Sequence, residues 1–214
     1  MLRYGQLYAA AVLRPLAEQL ALALAISPGH VVCDVLCDGG ELTRACSSRV
    51  APGGRVIGVE ADDLDAPAPR DLCDRAGSLF THGFHPGAAA WMRAALGPGG
   101  AALIACWDPS APPPCEASLS SALAECGAAS AYLDSVLAAP PEGVATRVQD
   151  VVRFDGIASC WTALVTQGPL AAELAALPHD MAEHVRSACH HAARRYEAAD
   201  GTLRIPVSAL FVRV

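Results

Sequence analysis

A few side chains in this chain stand where they could do chemistry. Glu60 closes the apolar run Gly54-Arg55-Val56-Ile57-Gly58-Val59, which reads as a buried strand. A carboxylate at the tip of a second parallel strand can accept both hydroxyls of a ribose, although an acid ending a strand can also be a plain solvated turn residue. His82 and His85, in Thr81-His82-Gly83-Phe84-His85, fall where another strand should end. An imidazole titrates near neutral pH and can act as a general base there; the bland reading is two exposed loop histidines. Cys37 stands in a turn just ahead of a helical pattern, and a helix N-terminus lowers a thiol pKa, but no histidine adjoins it to make a nucleophile. Asp34 lies inside an apolar strand, where a buried acid needs partners, so capping the N–H groups of the next turn is favoured over catalysis. Trp107-Asp108 ends a further strand and could line a substrate pocket, or Trp107 could be simple core.

Metal chemistry finds no support. His179, His184, His190 and His191 have spacings of five, six and one, which do not stack three imidazoles on one helical face. No CxxC pair occurs among the nine cysteines, several of which lie inside apolar runs (Cys33, Cys106, Cys160), so buried free thiols in a reducing cytoplasm are expected.

The elements that must position these groups follow from periodicity. Tyr4 to Ile26 has helical spacing, with Leu13, Leu16, Leu20 and Leu24 on one face, and stops at Ser27-Pro28-Gly29. Val31 to Leu36 is β-branched and apolar, a strand; the turn Cys37-Asp38-Gly39-Gly40 follows, then a helix to Val50. Arg55 to Glu60 is the second strand, and Ala61 to Asp74 is loop-like, with aspartates and prolines. Gly77 to Thr81 reads as a short strand, Ala88 to Leu96 as a helix, Ala101 to Trp107 as a strand and roughly Glu116 to Ala138 as a helix. Strands are expected around Val144 to Phe154 and over Thr202 to Val214, with helical material between them. Strands alternating with helices, then a late pair of strands, predict an α/β fold with a mostly parallel sheet. One domain over residues 1–214 is expected, with an N-terminal helix in 1–29 and a helical insertion in 156–200.

Composition narrows the partners. All fifteen basic residues are arginines, and the net charge of −7 offers no basic patch to gather phosphates, so nucleic acid is not expected. The apolar stretch Leu16 to Ile26 is interrupted by Glu18 and Gln19 and is too short to span a bilayer; a cytoplasmic protein is expected. A small-molecule ligand or a protein partner remains, with a homodimer possible.

The order Ser27-Pro28-Gly29, VVCDVLCDGG, GGRVIGVE and then Trp91-Met92-Arg93-Ala94-Ala95-Leu96-Gly97-Pro98-Gly99-Gly100 resembles class I S-adenosylmethionine (SAM)-dependent methyltransferases of the ubiquinone/menaquinone-type, small-molecule branch. Asp200-Gly201-Thr202-Leu203-Arg204-Ile205-Pro206-Val207 is similar to that branch's last hairpin. The resemblance implies a Rossmann-like sheet with an antiparallel last strand. It implies a cofactor site at Cys37, Asp38, Gly39, Gly40, Glu60 and Thr81, with His82 or His85 as base and no metal.

Two departures shape the functional expectation. Leu36 and Asp38 stand where the family has its first two loop glycines, and only Gly40 keeps the third. A side chain there obstructs close backbone approach, and Asp38 sets a charge beside the methionine carboxylate. Only thirteen residues separate Glu60 from Asp74, where the family places a helix, the edge third strand and another helix. Such a loop spans about 40 Å extended, enough to cross to the next strand, so a sheet lacking the third strand and an open or absent adenine pocket are predicted. The expected function is a degenerate methyltransferase-fold protein with weak or lost SAM binding, serving as a binding subunit or a cofactor-independent small-molecule enzyme. The alternative is an active SAM-dependent methyltransferase on a small, largely apolar acceptor. A structural subunit packing through an apolar surface is a third reading. Cofactor binding would mark the active enzyme, a closed ligand-sized pocket the cofactor-independent one, and a large exposed apolar patch the subunit.

Overall fold

The strand Val31–Val35 (β1) is the centre from which the fold grows. Four of its five residues are buried, as a strand covered on both faces requires. Val32 packs into one apolar cluster and Cys33 and Val35 into another, so the period of two divides the core between the two faces of the sheet. The computed structural model describes residues 6–80, 85, 87–136, 138–166 and 170–214.

Six strands form one sheet in the order β2-β1-β3-β4-β6-β5: Arg55–Val59 (β2), Cys73–Phe80 (β3), Leu96–Trp107 (β4), Val144–Phe154 (β5) and Leu203–Arg213 (β6). β1 to β4 run parallel, and β6 is antiparallel to both of its neighbours. This is the α/β, mostly parallel Rossmann-like sheet with an antiparallel last strand. The predicted loss of the edge strand is present too, because a single 3₁₀ turn, Ala61–Asp65, is the only regular element between β2 and β3.

Helices cover both faces. Gln6–Tyr8 (α1), a π-helical stretch over Ala9–Leu13, and Arg14–Ala23 (α2) lie on the face that carries Leu16, Leu20 and Leu24. Glu41–Val50 (α3) shares that face through Leu42 and Cys46, and Ala88–Ala95 (α4) packs on the other through Trp91 and Met92. Arg75 Nε donates to the Leu24 carbonyl at 2.9 Å, satisfying an acceptor at the end of α2.

The single helix expected over Glu116 to Ala138 is two, Pro114–Glu125 (α5) and Ala131–Val136 (α6). Gly127, at φ +69°, takes the left-handed conformation that ends α5, a stop signal inside an otherwise helical pattern. Between β5 and β6 lie Ile157–Trp161 (α7), a second π-helical stretch over Thr162–Thr166, Ala171–Ala175 (α8) and His179–Arg194 (α9). α9 lies on α5, where Ser118 Oγ donates to the Ala188 carbonyl at 3.1 Å and His184 Nε2 lies 3.0 Å from Glu125 Oε2.

Candidate functional site

The turn between β1 and α3 sits at the carboxyl end of the parallel strands, where sheets of this class hold ligands. Register explains why Glu60 joins it. Val35 pairs with Val59, so the residue after each strand lands at the same edge. The N–H groups of Leu36 and Cys37 both donate to the Val59 carbonyl, at 2.8 and 3.2 Å, which folds the turn against the tip of β2. Gly58 permits this approach, since a Cβ there would lie 2.9 Å from Cys37 Sγ.

The turn's backbone is left-handed at three places: Leu36 at φ +61°, Asp38 at +34° and Gly40 at +73°. For an L-residue that conformation costs about 1–2 kcal/mol, so Leu36 and Asp38 keep a glycine-like path despite their side chains. The half-buried Leu36 side chain packs against the apolar cluster on the α4 side of the sheet. A Cβ added at Gly39 would meet no atom within 4 Å, so the outer side of the turn faces open space.

Cys37 Sγ donates to Glu60 Oε1 at 3.3 Å, joining two of the predicted site residues. Burial, reinforced by the Glu60 carboxylate, pushes the Cys37 thiol up to about 12. The lowering expected from a helix N-terminus is not what this thiol shows: α3 begins four residues later at Glu41, and desolvation and a neighbouring acid outweigh the helix terminus. Glu60 itself opens the Ala61–Asp65 turn, its N–H donating to Asp63 Oδ2 at 2.9 Å.

Asp34 is 1% exposed and accepts from the Thr43 N–H at 2.8 Å and the Thr43 hydroxyl at 2.6 Å. Burial raises its pKa to about 6, with the Thr43 bonds holding the rise in check. The capping role expected for Asp34 is the one it has. Glu41, buried in the first turn of α3, lies 3.4 Å from Arg14 Nε of α2 and pairs with Arg44, a cluster that ties the N-terminal helix to the turn. Sequence reasoning did not single it out; the spacing of Glu41 and Arg44 was the available signal.

The turn thus brings Cys37, Asp38, Gly39, Gly40 and Glu60 to one edge. Thr81 and His82 lie outside the described residues. His85 precedes α4, where its Nδ1 accepts from the Gly87 N–H at 3.2 Å. An open groove of about 880 Å³ runs between the 64–71 segment and α4, lined by Leu64, Pro67, Arg70, Trp91, Ala94 and Leu96.

A second polar group lies farther along the same edge, beneath the helices. Trp107 ends β4 at 4% exposure, and among the described residues its Nε1 has no hydrogen-bond partner. It borders a narrow gap of about 20 Å³ together with Glu116, Cys115 and Cys160. The two π-helical stretches meet here, contributing Val12 and Leu164. Burial pushes Glu116 up to about 8, with Cys115 adding to the rise and its own N–H opposing it. Tyr8 and Tyr132 share a hydroxyl contact at 3.1 Å nearby, and burial, with Glu116 adding to it, raises the Tyr8 phenol. The sequence marked Trp107 but not Glu116, whose only signal was an acid among the apolar residues of a helix. Asp108 is structural: it accepts from the Ser110 and Ser208 hydroxyls and pairs with Arg147, and the Ser110 hydroxyl leads in holding its carboxyl below the usual range. No group of three or more metal-ligating side chains is found among the described residues.

No family model matches the chain, and no curated protein matches it in sequence. Solved structures do match. A protein of Anabaena variabilis ATCC 29413, assigned as a methyltransferase of an antibiotic biosynthesis pathway, superposes with a TM-score of 0.59 over 98% of this chain and 100% of its own, at 12% identity. The chain has the class I methyltransferase fold. A SAM-dependent methyltransferase from Thiobacillus denitrificans, in complex with S-adenosyl-L-homocysteine, is 19% identical over 97% of each chain, with a TM-score of 0.37. With the SAM-dependent methyltransferase of Aquifex aeolicus the likeness spans 44% of this chain and 64% of that one, at 15% identity and a TM-score of 0.36. No described helix of this methyltransferase-fold chain is long and apolar enough to cross a membrane.

Proposed function

We propose that this chain is a SAM-dependent methyltransferase acting on a small, largely apolar acceptor. The observation that carries the reading is the β1–α3 turn, which holds left-handed backbone at Leu36 and Asp38 although neither is glycine. Strain of that kind persists where the surroundings over-determine it, and it concentrates at ligand sites. The residues fit the cofactor: Gly39 leaves the turn's outer side open, and Glu60 stands beside it at the tip of β2. Gly39, Gly40 and Glu60 would hold SAM, with Cys37 orienting the Glu60 carboxylate. The bound cofactor supplies an electrophilic methyl group. The chain's own part is to hold the cofactor and to exclude water from an acceptor beside the apolar edge around Trp107.

The other readings have less behind them. A cofactor-independent enzyme needs a closed ligand-sized pocket, and the gap at Trp107 has only about 20 Å³. Exposed large apolar side chains among the described residues are Leu7, Leu22, Val144 and Val151, spread over the N-terminal helix and β5.

Calorimetric titration of ligand-free protein with SAM and S-adenosylhomocysteine tests the proposal. Micromolar binding is expected, with Glu60→Ala weakening it by roughly tenfold or more through the lost ribose contacts, on the scale of a charged hydrogen bond. Asp38→Gly should leave binding intact or tighten it. Absence of binding up to millimolar cofactor would retire methyl transfer.

A further inference from the structure

Three thiols from three helices meet beneath the sheet's carboxyl edge: Cys115 in α5, Cys160 in α7 and Cys189 in α9, each no more than 2% exposed. Cys115 Sγ and Cys160 Sγ are 4.0 Å apart, and both residues line the gap beneath Trp107. The gap has about 20 Å³, room for a small molecule of about water's size to reach the sulfurs. Glu116 is the one carboxyl group among its lining residues, and the Trp107 N–H is a donor without a partner among the described residues. Either thiol of the Cys115–Cys160 contact can donate, and with Cys160 and Cys189 both beside it the Cys115 sulfur is the one whose thiolate is favoured.

We propose that Cys115 is a site of oxidation by hydrogen peroxide, resolved by Cys160 as a disulfide that ties α5 to α7. In the first step the Cys115 sulfur attacks one peroxide oxygen; the S–O bond forms as the O–O bond breaks. The sulfur is oxidised to a sulfenic acid and the departing oxygen leaves as water, taking the proton that the thiol gave up, with Glu116 placed to carry it. In the second step the Cys160 sulfur attacks Cys115, the S–S bond forms, the S–O bond breaks, and hydroxide leaves with the Cys160 proton as a second water. The balance is two thiols and one peroxide giving one disulfide and two waters. Access separates this cluster from an equally buried pair. Cys33 in β1 and Cys73 in β3 are also in contact, yet neither borders the gap.

The test exposes the folded, full-length protein to hydrogen peroxide, quenches it, unfolds it in an alkylating reagent and maps the peptides. A Cys115–Cys160 disulfide is expected, with Cys115 lost at least roughly tenfold faster than Cys33. Cys160→Ala should let a sulfenic-acid probe label Cys115, or divert the disulfide to Cys189. Cys115→Ala should leave Cys160 reduced. Should either variant fail to fold, the wild-type map decides alone. Alkylated Cys115 and Cys160 in protein whose other thiols have been oxidised would overturn the proposal, as would loss of Cys33 at the rate of Cys115.

Discussion

Asp34 in β1 and Glu116 in the first turn of α5 are both acids taken almost wholly out of water, at 1% and 6% exposure. Asp34 receives two hydrogen bonds from Thr43, and burial lifts its pKa only to about 6. Glu116 has its own N–H against burial and the Cys115 charge, and its pKa reaches about 8. The same desolvation therefore leaves one carboxylate ionised at neutral pH and the other largely protonated. Supplied hydrogen bonds, rather than depth, decide the charge state. The first acid organises the turn that holds the candidate cofactor site, and the second sits uncharged in an apolar gap.

The pH profile of stability gives the widest separation between the two. A carboxyl group whose pKa rises on folding adds nothing adverse below its unfolded value, near 4. It then costs stability as pH climbs toward its folded value. Both acids contribute between about pH 4 and 6, and Glu116 alone carries the decline on to about pH 8. Glu116→Gln should flatten that decline by on the order of 3–5 kcal/mol between pH 4.5 and 9, read from urea unfolding. Parallel profiles for variant and wild type would mean that Glu116 finds solvation in the folded protein. Next in size, Asp34→Ala strands the Thr43 N–H and should lower the unfolding free energy by about 2–3 kcal/mol. An unmoved urea midpoint would show that the turn does not depend on this cap. The finest test is Thr43→Val, which removes the hydroxyl bond and keeps the N–H. It should cost about 1 kcal/mol and raise the Asp34 pKa above its wild-type value, followed by carboxyl NMR titration.

The parts of the fold legible in sequence were those fixed by local pattern. The β-branched run at Val31 to Val35 and the strand ending at Glu60 announced the parallel pair, and thirteen residues to Asp74 left no room for an edge strand. The break of the 116–138 helix was less visible, because Gly127 sits beside alanines that favour continuing it, although Ser130, whose hydroxyl accepts from the Leu133 N–H to start α6, was a signal. At the site, the meeting of Cys37 and Glu60 followed from strand order, while the Cys37 pKa did not, since it depends on burial and on a neighbour twenty-three residues away. Glu116, Cys160 and Cys189 come together only through tertiary packing of three helices, and no spacing in the chain encodes that.

The trimmed sheet has a consequence for how this protein behaves in company. Without a third strand, β2 ends the order and presents an outer row of amide and carbonyl groups, the kind of template on which other chains stack into fibrils. The strand is only five residues long, begins at exposed Arg55 and includes exposed Gly58. Exposed Asp62, Asp63 and Asp65 follow at once. A short edge with like charges at its end is a poor seed for aggregation, because each added copy would bring those aspartates against their counterparts.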